Sequence, residues 1–181
     1  MSQITRSWLA FAAMGAGVIH LGVAPGTAIP AAVALAGLGV AEFGWGVGVL
    51  ALNRFPLPKA AGVMAFVPSI GWVLVLLASV AFDTPDVAAT FPAFPMSVAT
   101  LFTLLLAGVL AGDRRRRANA EEEAASSTPR KFQRPGRYLG GLLAGALAVS
   151  ALTTPALAAT GAGVDNPHAH HGELNIPDHH H

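Results

Sequence analysis

Five long apolar runs constrain this chain more than any other feature of its sequence. An α-helix needs about 20 apolar residues to cross a hydrocarbon core about 30 Å thick. Lipid offers no hydrogen-bond partner to an exposed backbone, so runs of this length should form helices. We therefore expect an all-α membrane protein, a bundle of five transmembrane helices at residues 8–24, 29–52, 60–82, 91–112 and 138–159.

The composition agrees with this class of protein. Hydrophobic residues make up 53% of the chain and charged residues only 12%, a balance that excludes an ordinary soluble domain. The chain contains no cysteine, which excludes disulfides, thiolate metal sites and iron–sulfur clusters. Any metal ion would therefore have to be bound by His, Asp, Glu or Met side chains.

The basic residues predict how the helices are oriented. Lys and Arg in short loops stay on the cytoplasmic side of a membrane. If the amino terminus is cytoplasmic, all eleven Lys and Arg fall in the three cytoplasmic segments, residues 1–7, 53–59 and 113–137. The sequence thus predicts a multi-pass plasma-membrane protein with a cytoplasmic amino terminus and an extracytoplasmic carboxyl-terminal tail.

Four segments follow one another along the predicted protein. They are a four-helix transmembrane bundle at 1–112, a cytoplasmic linker of basic and acidic residues at 113–137, a fifth transmembrane helix at 138–159, and a disordered histidine-rich tail at 160–181. Arg117 and Glu121 are four residues apart, so we expect the fourth helix to continue past the bilayer with ion pairs along it. The linker anchors the topology or, alternatively, binds anionic lipid headgroups. We expect no nucleic-acid binding, because no aromatic platform accompanies these cations.

The fifth apolar run resembles a secretory signal. It has a basic start, an apolar stretch and the small-residue pattern Ala156-Leu157-Ala158. The run is long enough to cross a bilayer, so we expect an uncleaved span. The alternative is cleavage after Ala158, which would release the tail.

Two ionisable side chains fall inside the predicted spans, and such residues are candidate functional sites. Glu42 has Gly39 and Gly46 beside it, which make a notch that another helix can enter closely. A first hairpin that turns near Gly26 would place His20 about eight residues, or about 12 Å, from the level of Glu42. We therefore do not expect a direct bond between His20 and Glu42.

A second hairpin, with its turn near Pro56, puts Glu42 level with Ser69, and Thr103 reaches a similar depth. These three residues predict a polar layer within the bundle. In that layer, Glu42 is either a buried acid that stabilises helix association or a carboxylate that handles protons or cations in a transporter. His20 either extends toward the lipid headgroups or accepts a metal ion passed from the tail.

The tail carries two histidine clusters with acidic residues nearby. Neutral imidazole is a good ligand for Cu, Zn and Ni, and clustered histidines in a flexible segment can wrap a divalent ion. The alternatives are a polar end without a ligand or, for the last three histidines, a cloning remnant. The predicted metal ligands are His168, His170, His171, His179, His180 and His181.

The first helix ends in VIHLGVAP, the second has a polar residue at its middle, and the tail is rich in histidine. In these features the chain resembles small multi-span membrane proteins of high-GC Gram-positive bacteria. The resemblance implies a membrane location and metal handling, and it transfers no catalytic residue.

These patterns together predict a protein that binds or handles a divalent transition metal, copper or zinc, at the outer face of the plasma membrane. One alternative is a small transporter or channel subunit that uses Glu42. Another is a non-catalytic accessory subunit of a larger membrane complex. The expected partners are the lipid bilayer, the metal ion, and another membrane protein or a second copy. We expect no enzyme, because no nucleophile or general base is positioned by a known motif.

Overall fold

The computed structural model describes residues 2–52, 58–84, 90–122 and 135–161, and all its regular elements in those ranges are helical. A short 3₁₀ turn, Ala24–Gly26, follows the first helix. The five predicted helices are confirmed as α1 Gln3–Val23, α2 Ile29–Leu52, α3 Pro58–Ala81, α4 Ala93–Glu122 and α5 Pro135–Ala158. The helix α4 runs ten residues past the predicted end at residue 112, which confirms its expected continuation. The six predicted tail ligands and residues 123–134 of the linker lie outside the described residues.

Four of these helices are long and apolar enough to cross a membrane, at Gln3–Gly26, Ile29–Leu52, Ala93–Arg116 and Tyr138–Ala158. In α3 the apolar stretch among the fully described residues is Phe66–Ala81, which is shorter. The large apolar side chains on the outside of α2, α3 and α5 are exposed, as expected where lipid covers a bundle. The helical fold class is therefore confirmed, with four spans that meet the length requirement.

The first helix is the centre of the bundle. It packs against α2, α4 and α5, while α3 packs mainly against α4. Small and apolar side chains let the neighbours approach α1 closely, and Ala10, Ala16 and Ile19 have no exposed surface. The helix begins at a side-chain cap, where the Ser2 hydroxyl accepts a hydrogen bond from the Thr5 N–H.

The contacts also give the relative directions of the helices. At the start of α1 the Trp8 Nε1–H donates to the Gly141 carbonyl, 2.7 Å away near the start of α5, so these helices run in the same direction. Leu9 packs in one cluster with Leu106 and Leu110 near the other end of α4, so α4 runs opposite to α1. The start of α1, the end of α4 and the start of α5 therefore share one end of the bundle.

Basic residues of α1 and α4 lie at that end. Arg6 lies in the first turn of α1, and Arg115 and Arg116 are exposed near the end of α4. The opposite end holds the Ala24–Gly26 turn and Asp83, which is exposed after α3. This separation agrees with the charge pattern from which the orientation was predicted.

Candidate functional site

A histidine and a glutamate are bonded to each other inside the bundle. His20 Nδ1 of α1 lies 2.7 Å from Glu42 Oε2 of α2. The two side chains are only 1% and 5% exposed. This length is typical of a charge-assisted hydrogen bond. The prediction that these residues do not meet is therefore wrong, and so is the interpretation in which His20 extends to the headgroups.

The register of the first hairpin explains the error. A Cβ on Gly46 would meet Ala10 and Met14, so Gly46 faces the turn of α1 between them. Counting four residues along each antiparallel helix places Glu42 level with about residue 16 of α1. His20 then stands only about one helical turn, or 6 Å, from that level, half the predicted separation.

Side-chain direction closes the remaining gap. The Cα–Cβ bonds of a helix tilt toward its amino terminus. In α1 this tilt carries His20 toward the level of Glu42, and in the antiparallel α2 it carries Glu42 toward the level of His20. The two side chains therefore lean toward each other and meet at 2.7 Å.

Glycine backbones set this register, because they let the two helices touch. A Cβ on Gly39 would lie 2.6 Å from the Gly17 carbonyl oxygen, and one on Gly46 would lie 2.7 Å from the Ala10 carbonyl oxygen. Real Cβ atoms essentially never approach another atom so closely. The predicted notch at Gly39 and Gly46 is therefore confirmed, and α1 is the helix that enters it.

One oxygen of the Glu42 carboxyl group is left over. Oε1 is buried and has no hydrogen-bond partner among the described residues, while Oε2 contacts His20. An unpaired buried polar atom costs about 1–3 kcal/mol, and in a native structure it calls for an explanation such as a catalytic role or a bound water or ion. The pair therefore has an open position for a further ligand or proton on a buried carboxyl oxygen.

The other two residues of the predicted polar layer bond to each other. Ser69 Oγ of α3 and Thr103 Oγ1 of α4 lie 2.8 Å apart and are buried. The Thr103 hydroxyl donates to the Thr100 carbonyl at 3.0 Å, so it accepts the hydrogen bond from Ser69. The meeting of Ser69 and Thr103 is confirmed, but no bond joins either hydroxyl to Glu42, whose partner is His20 instead.

The helix register still places the two polar pairs at a similar depth. A Cβ on Gly15 would meet the ring of Phe102, so α4 is level with α1 at these residues. Thr103 follows Phe102, and Glu42 is level with about residue 16. The bundle thus holds its buried hydroxyl pair and its buried ionisable pair in one layer, on different helix pairs.

A separate open groove of about 260 Å³ lies between α1, α2 and α5. Its apolar lining includes Phe11, Met14 and Phe43, and α5 adds three hydroxyl-bearing residues, Ser150, Thr153 and Thr154. These three hydroxyl groups were not among the residues predicted from the sequence. Neither His20 nor Glu42 lines this groove. Among the described residues no group of three or more His, Cys, Asp or Glu comes together.

The chain matches no protein-family model. Comparisons with curated proteins and with solved structures likewise give no similar chain. The chemistry of the site therefore has to be inferred from its own geometry.

Proposed function

We propose that this protein is a multi-pass plasma-membrane protein that works as a small transporter or channel subunit for cations, with Glu42 and His20 as its working site. The observation that carries the proposal is the buried 2.7 Å contact between them, together with the unpaired Glu42 Oε1. The proposed orientation has a cytoplasmic amino terminus, with the basic residues Arg6, Arg115 and Arg116 on that side.

The energetic cost of the pair supports a working role. An ionisable residue near the middle of a transmembrane helix costs about 2.5–3.5 kcal/mol on insertion scales. Apolar residues of similar volume often pack as stably as a buried ion pair, without that cost. An isolated pair of this kind in an apolar bundle is therefore better explained by proton or cation handling than by stability.

The position of the pair also suits exchange with one side of the membrane. His20 lies three residues before the end of α1, about 5 Å below the Ala24–Gly26 turn. Thr27 follows that turn, and its hydroxyl donates to the Ala24 carbonyl. In the proposed orientation this end faces outward, so the outer surface is the nearer source of protons or cations for the pair.

Cation uptake by reconstituted vesicles tests this proposal. Glu42→Gln keeps the size of the side chain and its ability to bond to His20, but it cannot ionise. We expect it to lower uptake at least tenfold, whereas the matched control Ser69→Ala, which removes a buried hydroxyl at similar depth, should retain most of the uptake. Equal uptake rates for wild type and Glu42→Gln would contradict the proposal. As a control for folding, circular dichroism should show the same helical content in both variants as in wild type.

The tail supports a second proposed function, divalent transition-metal binding at the outer face. The sequence of the tail contains two clusters of three histidines. In the proposed orientation the tail is on the outer side, and no Lys or Arg lies on that side. Protein purified without a metal-affinity resin should bind Cu(II) or Zn(II) at micromolar concentration or below. Replacing the six tail histidines with alanine should remove this binding, and an affinity no better than millimolar for wild type would contradict it.

A third proposal is that the protein is an accessory subunit of a larger membrane complex, which would contact the side of α2 that faces away from the bundle. Gly37 and Gly44 lie on that helix with nothing within 4 Å of an added Cβ, so another helix could approach there. The partner would be another membrane protein or a second copy. Stable co-purification of a partner, lost in Gly37→Leu, would support this proposal, and a monomer in mild detergent would contradict it.

A further inference from the structure

We infer that the ligand of the buried pair is a proton, which binds at Glu42 Oε1 while Oε2 keeps its hydrogen bond to His20 Nδ1. This inference rests on the proposed transport function and names its substrate. The inference follows from the different surroundings of the two carboxyl oxygens. Oε2 is bonded to His20 at 2.7 Å, whereas Oε1 is buried without a partner among the described residues.

The binding step breaks one O–H bond of a hydronium ion and forms one O–H bond at Glu42. In the empty state the imidazole Nδ1–H of His20 donates to Oε2, and Oε1 holds an unused lone pair. A proton delivered by hydronium from the outer water forms an O–H bond at Oε1, and a water molecule is left behind. The carboxylate becomes a carboxylic acid, the charge of the pair rises by one, and the bond to His20 survives. Release to water reverses the step.

The geometry favours a proton over a metal ion. A zinc ion needs four ligands at about 2.0–2.3 Å. Two ligand atoms bound to one tetrahedral ion lie about 3.3 Å apart, whereas Nδ1 and Oε2 are 2.7 Å apart. The described residues bring one imidazole and one carboxyl group together here, and no third His, Cys, Asp or Glu joins them. A proton needs only the single open oxygen.

Among the described residues, no charged side chain other than His20 is bonded to Glu42. Of the helices packed around the pair, α1 contributes His20 and α2 contributes Glu42. Lys59 of α3 and Arg137 of α5 lie in the first turns of those helices, and Asp83, which follows α3, is exposed. The other charged residues of α1 and α4 are Arg6 and the segment of α4 that starts at Asp113. They lie at the end of the bundle where α1 begins. Arg6 is 14 residues from His20, or about 21 Å along the helix. The pair alone therefore carries the change in charge.

The buried hydroxyl pair provides a built-in comparison. Ser69 and Thr103 are at similar depth, but the Thr103 hydroxyl donates to the Thr100 carbonyl and accepts from Ser69. Hydroxyl groups bonded in this way do not ionise near neutral pH. Removing them should leave proton binding unchanged, which separates the effect of the carboxyl group from any general effect of polarity in the layer.

Infrared difference spectroscopy of the full-length protein in vesicles tests the inference. Stepping the external pH downward should produce a carboxylic-acid band that is present in wild type and in Ser69→Ala and absent in Glu42→Gln. Glu42→Asp keeps an acid at this position and should retain a band. A band in Glu42→Asp shows that the band is lost in Glu42→Gln because the acid is missing, and not because that variant is misfolded. His20→Leu should move the pH at which the band appears. A wild-type spectrum identical to that of Glu42→Gln would overturn the inference.

Flux measured on the same vesicles separates this inference from the transport proposal. A pH-sensitive dye inside the vesicles should report proton entry that falls at least tenfold in Glu42→Gln. In a different outcome, Glu42 supports flux of a metal or alkali cation while the carboxylic-acid band and proton entry are both absent. That result would overturn the proton inference and support transport. The band without any Glu42-dependent flux would overturn transport and support a proton-binding site.

Discussion

Gly39→Ala should loosen the contact between α1 and α2 and with it the buried pair. The added Cβ would lie 2.6 Å from the Gly17 carbonyl oxygen, whereas ordinary contact begins at 3.4 Å. The helices must therefore part locally by about 0.8 Å. The hydrogen bond between His20 and Glu42, now 2.7 Å, would stretch toward the limit at which such bonds are recognised. Hydrogen bonds to charged groups contribute about 1.5–3 kcal/mol, and we expect a loss of that size in the free energy of unfolding.

The same helix offers a matched control for this substitution. An added Cβ on Gly37 would meet nothing within 4 Å, so Gly37→Ala adds the same methyl group without a clash. It should leave the protein as stable as wild type or more stable by up to about 1 kcal/mol, because alanine favours a helix over glycine. Unfolding by SDS titration in mixed micelles, followed by helical circular dichroism, measures both variants. Equal stability of Gly39→Ala and Gly37→Ala would refute the close approach of α1 and α2.

Three further substitutions or measurements test other contacts in the bundle. Trp8→Phe removes the N–H that donates to the Gly141 carbonyl, and it should lower the free energy of unfolding by about 0.5–1.5 kcal/mol, as measured by the same SDS titration. Thr103→Val removes the hydroxyl that bonds to Ser69, and it should cost about 0.5–1.5 kcal/mol, whereas the double replacement with Ser69→Ala should cost less than the two single changes together. Mass spectrometry of the purified protein should show a chain that continues past Ala158, because the preceding residues are helical and packed against α1; a product that ends at Ala158 would contradict this.

The helices could be predicted from the sequence because the requirement for backbone hydrogen bonds in lipid leaves a strong signal. The predicted span at residues 29–52 coincides with α2. The predicted first span starts at residue 8, five residues after α1 begins at Gln3, because the first turn of α1 is polar and is held by the Ser2 cap rather than by apolar residues. The meeting of Ser69 and Thr103 also followed from counting residues along each hairpin.

The bond between His20 and Glu42 could not be predicted by the same counting. Counting assumes that residues of α1 and α2 pair symmetrically about a turn near Gly26. The glycine contacts instead shift the register of α2 on α1 by about one helical turn. The spacing of Gly39 and Gly46, seven residues apart on one face, was the signal that could have revealed this. It identified the notch on α2, but not the part of α1 that fills it. That match depends on both helix surfaces together.

The distance between His20 and Glu42 tests the central claim most directly. Solid-state NMR of the protein in lipid can measure the dipolar coupling between the ¹⁵Nδ1 of His20 and the ¹³C carboxyl carbon of Glu42, and the Glu42→Gln variant assigns the carboxyl signal. The observed contact of 2.7 Å between Nδ1 and Oε2 predicts a strong coupling. The symmetric hairpin, which separates the two residues by about 12 Å, predicts none. Absence of the coupling in folded wild-type protein would contradict the buried pair and the function proposed for it.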